Sequence, residues 1–217
     1  MASVRKKKIL ILGNSHLVVF KFRGELISTL VERGYDVWVC FPNGPFGEGE
    51  QTAKIYGCHF IENKMERRGT NPIKDLELIK NYYCIIKQVN PDAVLAYTVK
   101  PDVYGGIVCA ITKTPFIPNI TGLGKGLDEK GIVQRLTIEL YKRAVKKAKC
   151  VFFQNDSDRT FFDSNHIVYP KGITLPGSGV NLKKFVPLPY PGKEEPIRFI
   201  YCLLYTSPSP RDRSLSR

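Results

Sequence analysis

Short apolar runs alternate with amphipathic stretches along almost the whole chain. Lys8–Gly13 and Asp36–Phe41 are rich in branched aliphatic and aromatic residues, the pattern of strands buried on both faces. Between them, Val18–Arg33 predicts a helix that Gly34 closes as a C-cap. Gly47–Tyr56 predicts a weak helix and Cys58–Glu62 a short strand. Ile73–Val89 predicts an amphipathic helix with Leu76, Ile79, Tyr83, Ile86 and Val89 on its inner face. Pro91–Ala96 and Thr114–Ile120 read as strands around a helix over Tyr104–Thr112. Pro101 suits that helix's first position, where its missing N–H has no partner to lose. Ile132–Lys149 predicts a helix, Cys150–Gln154 a strand, Asp156–Asn165 a helix with acids in its first turn, and Gly172–Leu175 a last strand. This βα alternation implies an α/β fold, a Rossmann-like doubly wound parallel sheet with right-handed crossovers. Such sheets bind ligands beyond the carboxyl ends of their strands. Thr98, Lys100, Asn119 and Thr121 fall there.

Composition adds little to that picture. The chain has 217 residues, 43% hydrophobic and 24% charged, as in ordinary globular proteins. No apolar run approaches the ~18 residues of a membrane span. RKKKILILG at the amino terminus has too short an apolar run for a secretory signal, so it reads as the first strand. Cysteines at 40, 58, 84, 109, 150 and 202 contain no C-x-x-C pair, and are expected to be buried free thiols of a reducing cytosol rather than disulfides or zinc ligands. A net charge of +13 favours anionic partners. Charge alone does not choose among nucleic acid, an anionic leaflet, a phosphorylated substrate and mere solubility.

Motifs narrow the choice. Tyr97–Gly124 reads YTVKPDVYGGIVCAITKTPFIPNITGLG: strand end, polar loop, helix, strand and glycine-rich loop. It resembles the amino-terminal half of the bacterial family 4 glycosyltransferases of GT-B fold, nearest to the capsule and O-antigen sugar transferases. There a T-x-K-P-x-x-Y-G loop and helix precede a T-G-L-G loop. Asn14–Leu26, Val151–Phe162 and Leu175–Phe185 resemble further family segments in the same order, so the resemblance runs over residues 7 to 200.

Strand ends and this resemblance together give the candidate site residues. Gly13, Asn14 and His16 form the loop after the first strand, either contacting a ligand or making a tight turn. The loop is not G-x-G-x-x-G, which disfavours a dinucleotide site and an oxidoreductase. The resemblance places Arg23 facing the cleft, where a guanidinium can hold phosphate bidentately. Thr98 and Lys100 can hydrogen-bond a sugar hydroxyl or a diphosphate, and Lys100 can offset leaving-group charge. Thr121, Gly122 and Gly124 allow close backbone approach and an anion nest. GLGKG lacks the spacing of a P-loop, so ATP is not expected there. Ser178 lies in a G-S-G turn without nucleophile-elbow spacing, which the resemblance places at the border of an interdomain cleft. No catalytic residue is assigned, and no metal or cofactor is expected.

Arg135, Lys142, Arg143, Lys146 and Lys147 fall on one face of the helix over Ile132–Lys149. Val133, Leu136, Leu140, Tyr141, Ala144, Val145 and Ala148 take the other. The basic face could dock on an anionic membrane from the cytoplasmic side, at about 1 kcal/mol per basic residue. A nucleic-acid-binding module is disfavoured, since no recognised motif accompanies the charge. The expected organisation is an acceptor-side domain over 1–186, a linker over 187–196, and the start of a second domain at 197–201. Residues 202–217 are expected to be an unstructured, artefactual tail. The resemblance implies a retaining transferase that moves sugar from a nucleotide-diphosphate donor to a lipid-linked or polysaccharide-precursor acceptor. Because the donor is expected to bind mostly in the second domain, this chain should not turn over alone.

Overall fold

The computed structural model describes residues 5–44, 47–66, 71–123, 131–189 and 192. The chain divides into two compact units, Met1–Val180 and Asn181–Arg217. The first contains a seven-stranded sheet: β1 (Lys8–Leu12), β2 (Asp36–Phe41), β3 (His59–Glu62), β4 (Ala93–Tyr97), β5 (Phe116–Ile120), β6 (Val151–Phe153) and β7 (Gly172–Thr174). The strands pair in the order β3-β2-β1-β4-β5-β6-β7, all parallel. Strand order reverses between β1 and β4, so the switch point of this doubly wound sheet lies there.

Period-two alternation in β1 sets the two layers. Leu10 and Leu12 join one core cluster and Ile11 the other, all three fully buried. Burying each contributes about 1.5–3 kcal/mol, and because both faces are covered the strand reads as a continuous apolar run. One face is covered by α1 (Phe22–Glu32) and α2 (Glu48–Tyr56). The other is covered by α3 (Pro72–Val89), α4 (Gly106–Thr112), α5 (Ile132–Val145) and α6 (Asp156–Ser164). The helix expected from Val18 and the helix expected near Tyr104 each begin with a π-helical turn, Leu17–Lys21 before α1 and Pro101–Gly105 before α4. Such turns often sit at functional sites. Gly34, at φ 83°, closes α1 as expected.

Two helices bury a different face from the one expected. In α3 the inner face is Leu78, Tyr82, Ile85, Ile86 and Val89, while Leu76 is 66% exposed. The sequence carries two apolar stripes that share Ile86 and Val89. The stripe that meets the sheet keeps strict i, i+4, i+7, i+8, i+11 spacing. In α5 only Ile138, Tyr141, Ala144 and Val145 are buried, with Ala148 just beyond, while Val133 and Leu136 are exposed. Contact with α4 runs through Gly106, where an added Cβ would lie 2.9 Å from both the Cβ and the carbonyl oxygen of Ala144. The second half of α5 is therefore the half held against a neighbour.

In the second unit the described residues 181–189 include a turn in which Asn181 Oδ1 accepts N–H groups from Lys183 and Lys184 at 3.0 and 3.1 Å. The expected second-domain start and tail lie outside the described residues.

Candidate substrate cleft

Three strand ends converge at the switch point. They line a cleft of about 370 Å³ with Asn14 after β1, Thr98, Val99 and Lys100 after β4, and Thr121 and Gly122 after β5. Met65, after β3, joins them. The volume falls within the usual range for small-molecule sites. Thr98 holds φ 78°, a left-handed conformation that costs a threonine about 1–3 kcal/mol and is characteristic of ligand sites. Its hydroxyl is buried with no partner among the described residues. Gly122, at φ 123°, adopts a backbone that only glycine takes readily.

Lys100 is not a free cation. Its ammonium lies 2.7 Å from Asp75 Oδ1, and the side chains are only 16% and 15% exposed. The Tyr104 hydroxyl donates to the other carboxylate oxygen at 2.8 Å. Burial, followed by this contact with Asp75, pushes the Tyr104 phenol well above its usual range. Asp75 lies in the first turn of α3, whose N-cap Asn71 accepts the Ile73 N–H at 3.0 Å and whose N1 residue is Pro72.

A second set of polar groups is buried close to the ends of β4 and β5. Arg23 is 7% exposed and packs over the Tyr97 ring, 4.4 Å from its centroid. Its Nη1 donates to the Phe22 carbonyl at 3.0 Å. Arg23 is therefore not among the residues lining the cleft; its side chain lies over Tyr97 at the end of β4. Burial lowers its pKa, against the opposing pull of Tyr97 and Asp102, and pushes Tyr97 up to about 12. Asp102, in the second π-helical turn, is almost fully buried, and among the described residues neither carboxyl oxygen has a partner in good hydrogen-bond geometry, although the Asn119 N–H lies near enough to act on it. Burial raises its pKa well above the carboxylate range, with the Asn119 N–H and Arg23 pulling the other way. Arg23 Nε and Asn119 Oδ1 also have no partner among the described residues.

Other expected site residues are placed elsewhere. His16 turns toward α2, its Nε2 lying 2.8 Å from Thr52 Oγ1. The Thr52 hydroxyl donates to the Glu48 carbonyl, so it accepts from His16, which fixes the proton on Nε2. Gly13 serves the turn: its N–H donates to Cys40 O at 3.0 Å, and an added Cβ would stand 2.4 Å from Val19 Cγ2. Ser178 is exposed and accepts from Gln154 after β6 at 3.1 Å, outside the cleft lining. Gly124 lies outside the described residues. Asp75 and Tyr104, which hold Lys100, and the buried Asp102 are polar groups near the cleft that sequence reasoning does not single out as such. The local signals are an acid in the first turn of Asp75's helix and of Asp102's π-helical turn, which capping alone explains, and the tyrosine of the T-x-K-P-x-x-Y-G segment, which is Tyr104.

On α5 Arg135 and Arg143 are exposed, as are Lys146 and Lys147 just after it, while Lys142 pairs with Glu139 at 2.8 Å. Exposed Ile132, Val133 and Leu136 occupy its first half. Among the described residues, no helix is long and apolar enough to cross a membrane and no group of three or more His, Cys, Asp or Glu could hold a metal. Burial pushes the Cys40 and Cys109 thiols up to about 12 and Cys58 to about 11, so these thiols stay protonated and unreactive. Cys84, by contrast, is exposed.

A parallel sheet in this order, with a polar cleft at its switch point, defines a Rossmann-like ligand-binding domain. Residues 8–155 match the Glycosyl transferase 4-like family, and the chain belongs to that family. It is 25% identical over 185 residues to the Campylobacter jejuni N,N'-diacetylbacillosaminyl-diphospho-undecaprenol alpha-1,3-N-acetylgalactosaminyltransferase, covering 82% of this chain and 48% of that protein. A glycosyltransferase from Rickettsia africae shares the fold at TM-score 0.59 and 18% identity, over 84% of this chain and 46% of that one. The Neisseria meningitidis UDP-GlcNAc 2-epimerase, solved with UDP-GlcNAc bound, does so at TM-score 0.55 and 16% identity, over 77% and 46%. The chain thus spans about half the length of these relatives. Because epimerases share the fold, family membership rather than fold points to a transferase.

Proposed function

We propose that this chain is the acceptor-side domain of a glycosyltransferase that moves sugar from a nucleotide-diphosphate donor to a lipid-linked sugar. The observation that carries this reading is the switch-point cleft, where Asn14, Thr98, Lys100 and Thr121 converge from three strand ends in a member of this family. Hydroxyl and amide side chains of this kind both donate and accept, which suits an acceptor sugar whose hydroxyl is the nucleophile. Gly122 lets the backbone approach the ligand. The Campylobacter relative's name describes a polyprenyl-diphosphate-linked acceptor, and the proposed acceptor is of that class. Transfer with retention at the anomeric carbon, and donor binding mostly in a second domain, are what the family resemblance implies. No catalytic group is assigned to this chain, so it is expected to give no transfer alone. A longer protein carrying a second α/β domain should transfer sugar from a UDP-N-acetylhexosamine to undecaprenyl-diphosphate-linked sugar. Transfer by the 217-residue chain itself would contradict the two-domain reading.

We further propose a peripheral membrane position on the cytoplasmic face, supported by the exposed apolar first half of α5 and the exposed basic residues on it and just after it. Vesicles with anionic lipid should bind the chain in a salt-sensitive way. Changing Arg135, Arg143, Lys146 and Lys147 to Gln should weaken that binding, and equal binding to neutral vesicles would contradict it.

A further inference from the structure

We propose that the end of the cleft walled by Lys100 is a subsite for an uncharged, hydroxyl-rich group such as a sugar ring, and that Asp75 is the positioning residue that keeps anions out of it. This rests on the reading of the cleft as the acceptor site. Three observations carry it. Among the described residues lining the cleft, Lys100 is the only ionisable one. Its charge is already met by Asp75 at 2.7 Å, in a pair largely shielded from solvent. Asp75 cannot easily swing away, because Tyr104 holds its second oxygen at 2.8 Å. On the same side, Lys74 of α3 is paired with Glu66, the residue after the lining Met65.

A diphosphate placed against Lys100 would bring its charge close to a fixed carboxylate, or would have to break a shielded ion pair and strand Asp75. Both are unfavourable where the dielectric is lowered by burial. A neutral hydroxyl meets no such penalty. An ammonium has three donors, and Asp75 accepts one of them, so another can reach a sugar oxygen without loss of the pair. Asn14 and Thr121 supply further donors and acceptors. Met65 and Val99 supply apolar surface for the C–H face of a ring. Lys100 is therefore assigned to sugar recognition rather than to stabilising a leaving diphosphate.

The experiment is amide NMR titration of the 217-residue chain at about 0.15 M salt, a screening regime in which only close pairing survives. N-acetylgalactosamine and inorganic pyrophosphate are the two probes, read at the amides of Thr98, Lys100 and Thr121. In the unmutated chain the sugar should shift these signals and pyrophosphate should not, or should bind at least about tenfold more weakly. Asp75→Asn releases the ammonium, so pyrophosphate should now bind these residues about tenfold or more tightly than before, the gain expected from one charge-assisted contact. Asp75→Glu should restore the original preference, which a purely structural role for Asp75 would not predict. Pyrophosphate binding as tightly as the sugar in the unmutated chain would overturn the subsite while leaving the cleft reading intact, and that comparison needs no variant to fold. If neither probe touches these residues in either the unmutated or the Asp75→Asn chain, the cleft reading itself fails and the subsite falls with it.

Discussion

The two strand-to-helix crossings at the switch point are built alike and used differently. Each leaves a central strand, passes a short polar loop and enters its helix through a π-helical turn. After β1 the crossing is sealed by aromatic packing. Phe20 stacks on Tyr56 at 5.2 Å between centroids and meets Phe41 edge-on at 5.6 Å, with the His16 ring against both phenylalanines. Its one guanidinium, Arg23, is folded onto Tyr97. After β4 the crossing stays open: Thr98, Val99 and Lys100 line the cleft, and the backbone at Thr98 is strained. Similar local geometry therefore yields, beyond Asn14, a packed joint in one place and an open cleft wall in the other. The difference lies less in the residues next after each strand, Gly13 and Asn14 after β1 and Thr98 to Lys100 after β4, than in what the following turn presents: Phe20 packs against Tyr56 and Phe41 after β1.

This contrast can be broken at several points, with effects that decrease in the order given. Phe20→Ala should lower the unfolding free energy by about 3–5 kcal/mol, because a buried aromatic in tight contact leaves a cavity. Chemical denaturation measures it, and a loss below about 1 kcal/mol would mean that the β1 crossing is not sealed as described. Asp102 comes next. Its folded pKa is raised and its unfolded pKa is about 3.9, so the folded state retains a proton that the unfolded state has lost. The contribution of Asp102 to stability should be greatest below the unfolded value and fall as pH rises toward the folded one, by up to about 1.4 kcal/mol per pH unit. Asp102→Asn should flatten that dependence, and an unchanged slope would show that another group is responsible.

Smaller effects sharpen the comparison. His16→Ala removes the hydrogen bond to Thr52 and should cost about 1 kcal/mol of stability while leaving sugar binding intact. Thr98→Gly relieves the positive φ but adds chain entropy to the unfolded state. Its stability should therefore stay within about 1 kcal/mol of the original, while N-acetylgalactosamine binding weakens. A substitution that loosens binding without unfolding the domain marks a residue held for its ligand.

The strands are legible in sequence because burial on both faces leaves continuous apolar runs, as in β1 and β2. The strand-end rule likewise picks out Thr98, Lys100 and Thr121, which the structure brings to one cleft; its fourth residue, Asn119, lies within β5 and is buried outside the cleft lining. Other features depend on partners remote in sequence. Asp75 reaches Lys100 from 25 residues away and on another helix, a contact that no local spacing encodes. The burial of Arg23 rests on its contact with Tyr97, far away in sequence, which no local pattern encodes. The inner faces of α3 and α5 differ from expectation because each helix carries more apolar residues than its neighbours cover, and periodicity alone cannot say which stripe is covered.

The central claim is that the β4–β5 side of the switch point binds the acceptor while the β1 crossing supports it. The most direct measurement is steady-state transfer to undecaprenyl-diphosphate-linked sugar by a longer protein that carries both domains, with variants of each crossing compared at equal folded fraction. Thr121→Val and Lys100→Ala should each raise the acceptor KM or lower turnover by roughly tenfold, the range for one lost hydrogen bond at a binding wall. His16→Ala should stay within about twofold, since its hydrogen bond serves α2 rather than the cleft. A large loss with His16→Ala together with unmoved kinetics for both cleft variants would contradict the account and place the acceptor at the first crossing.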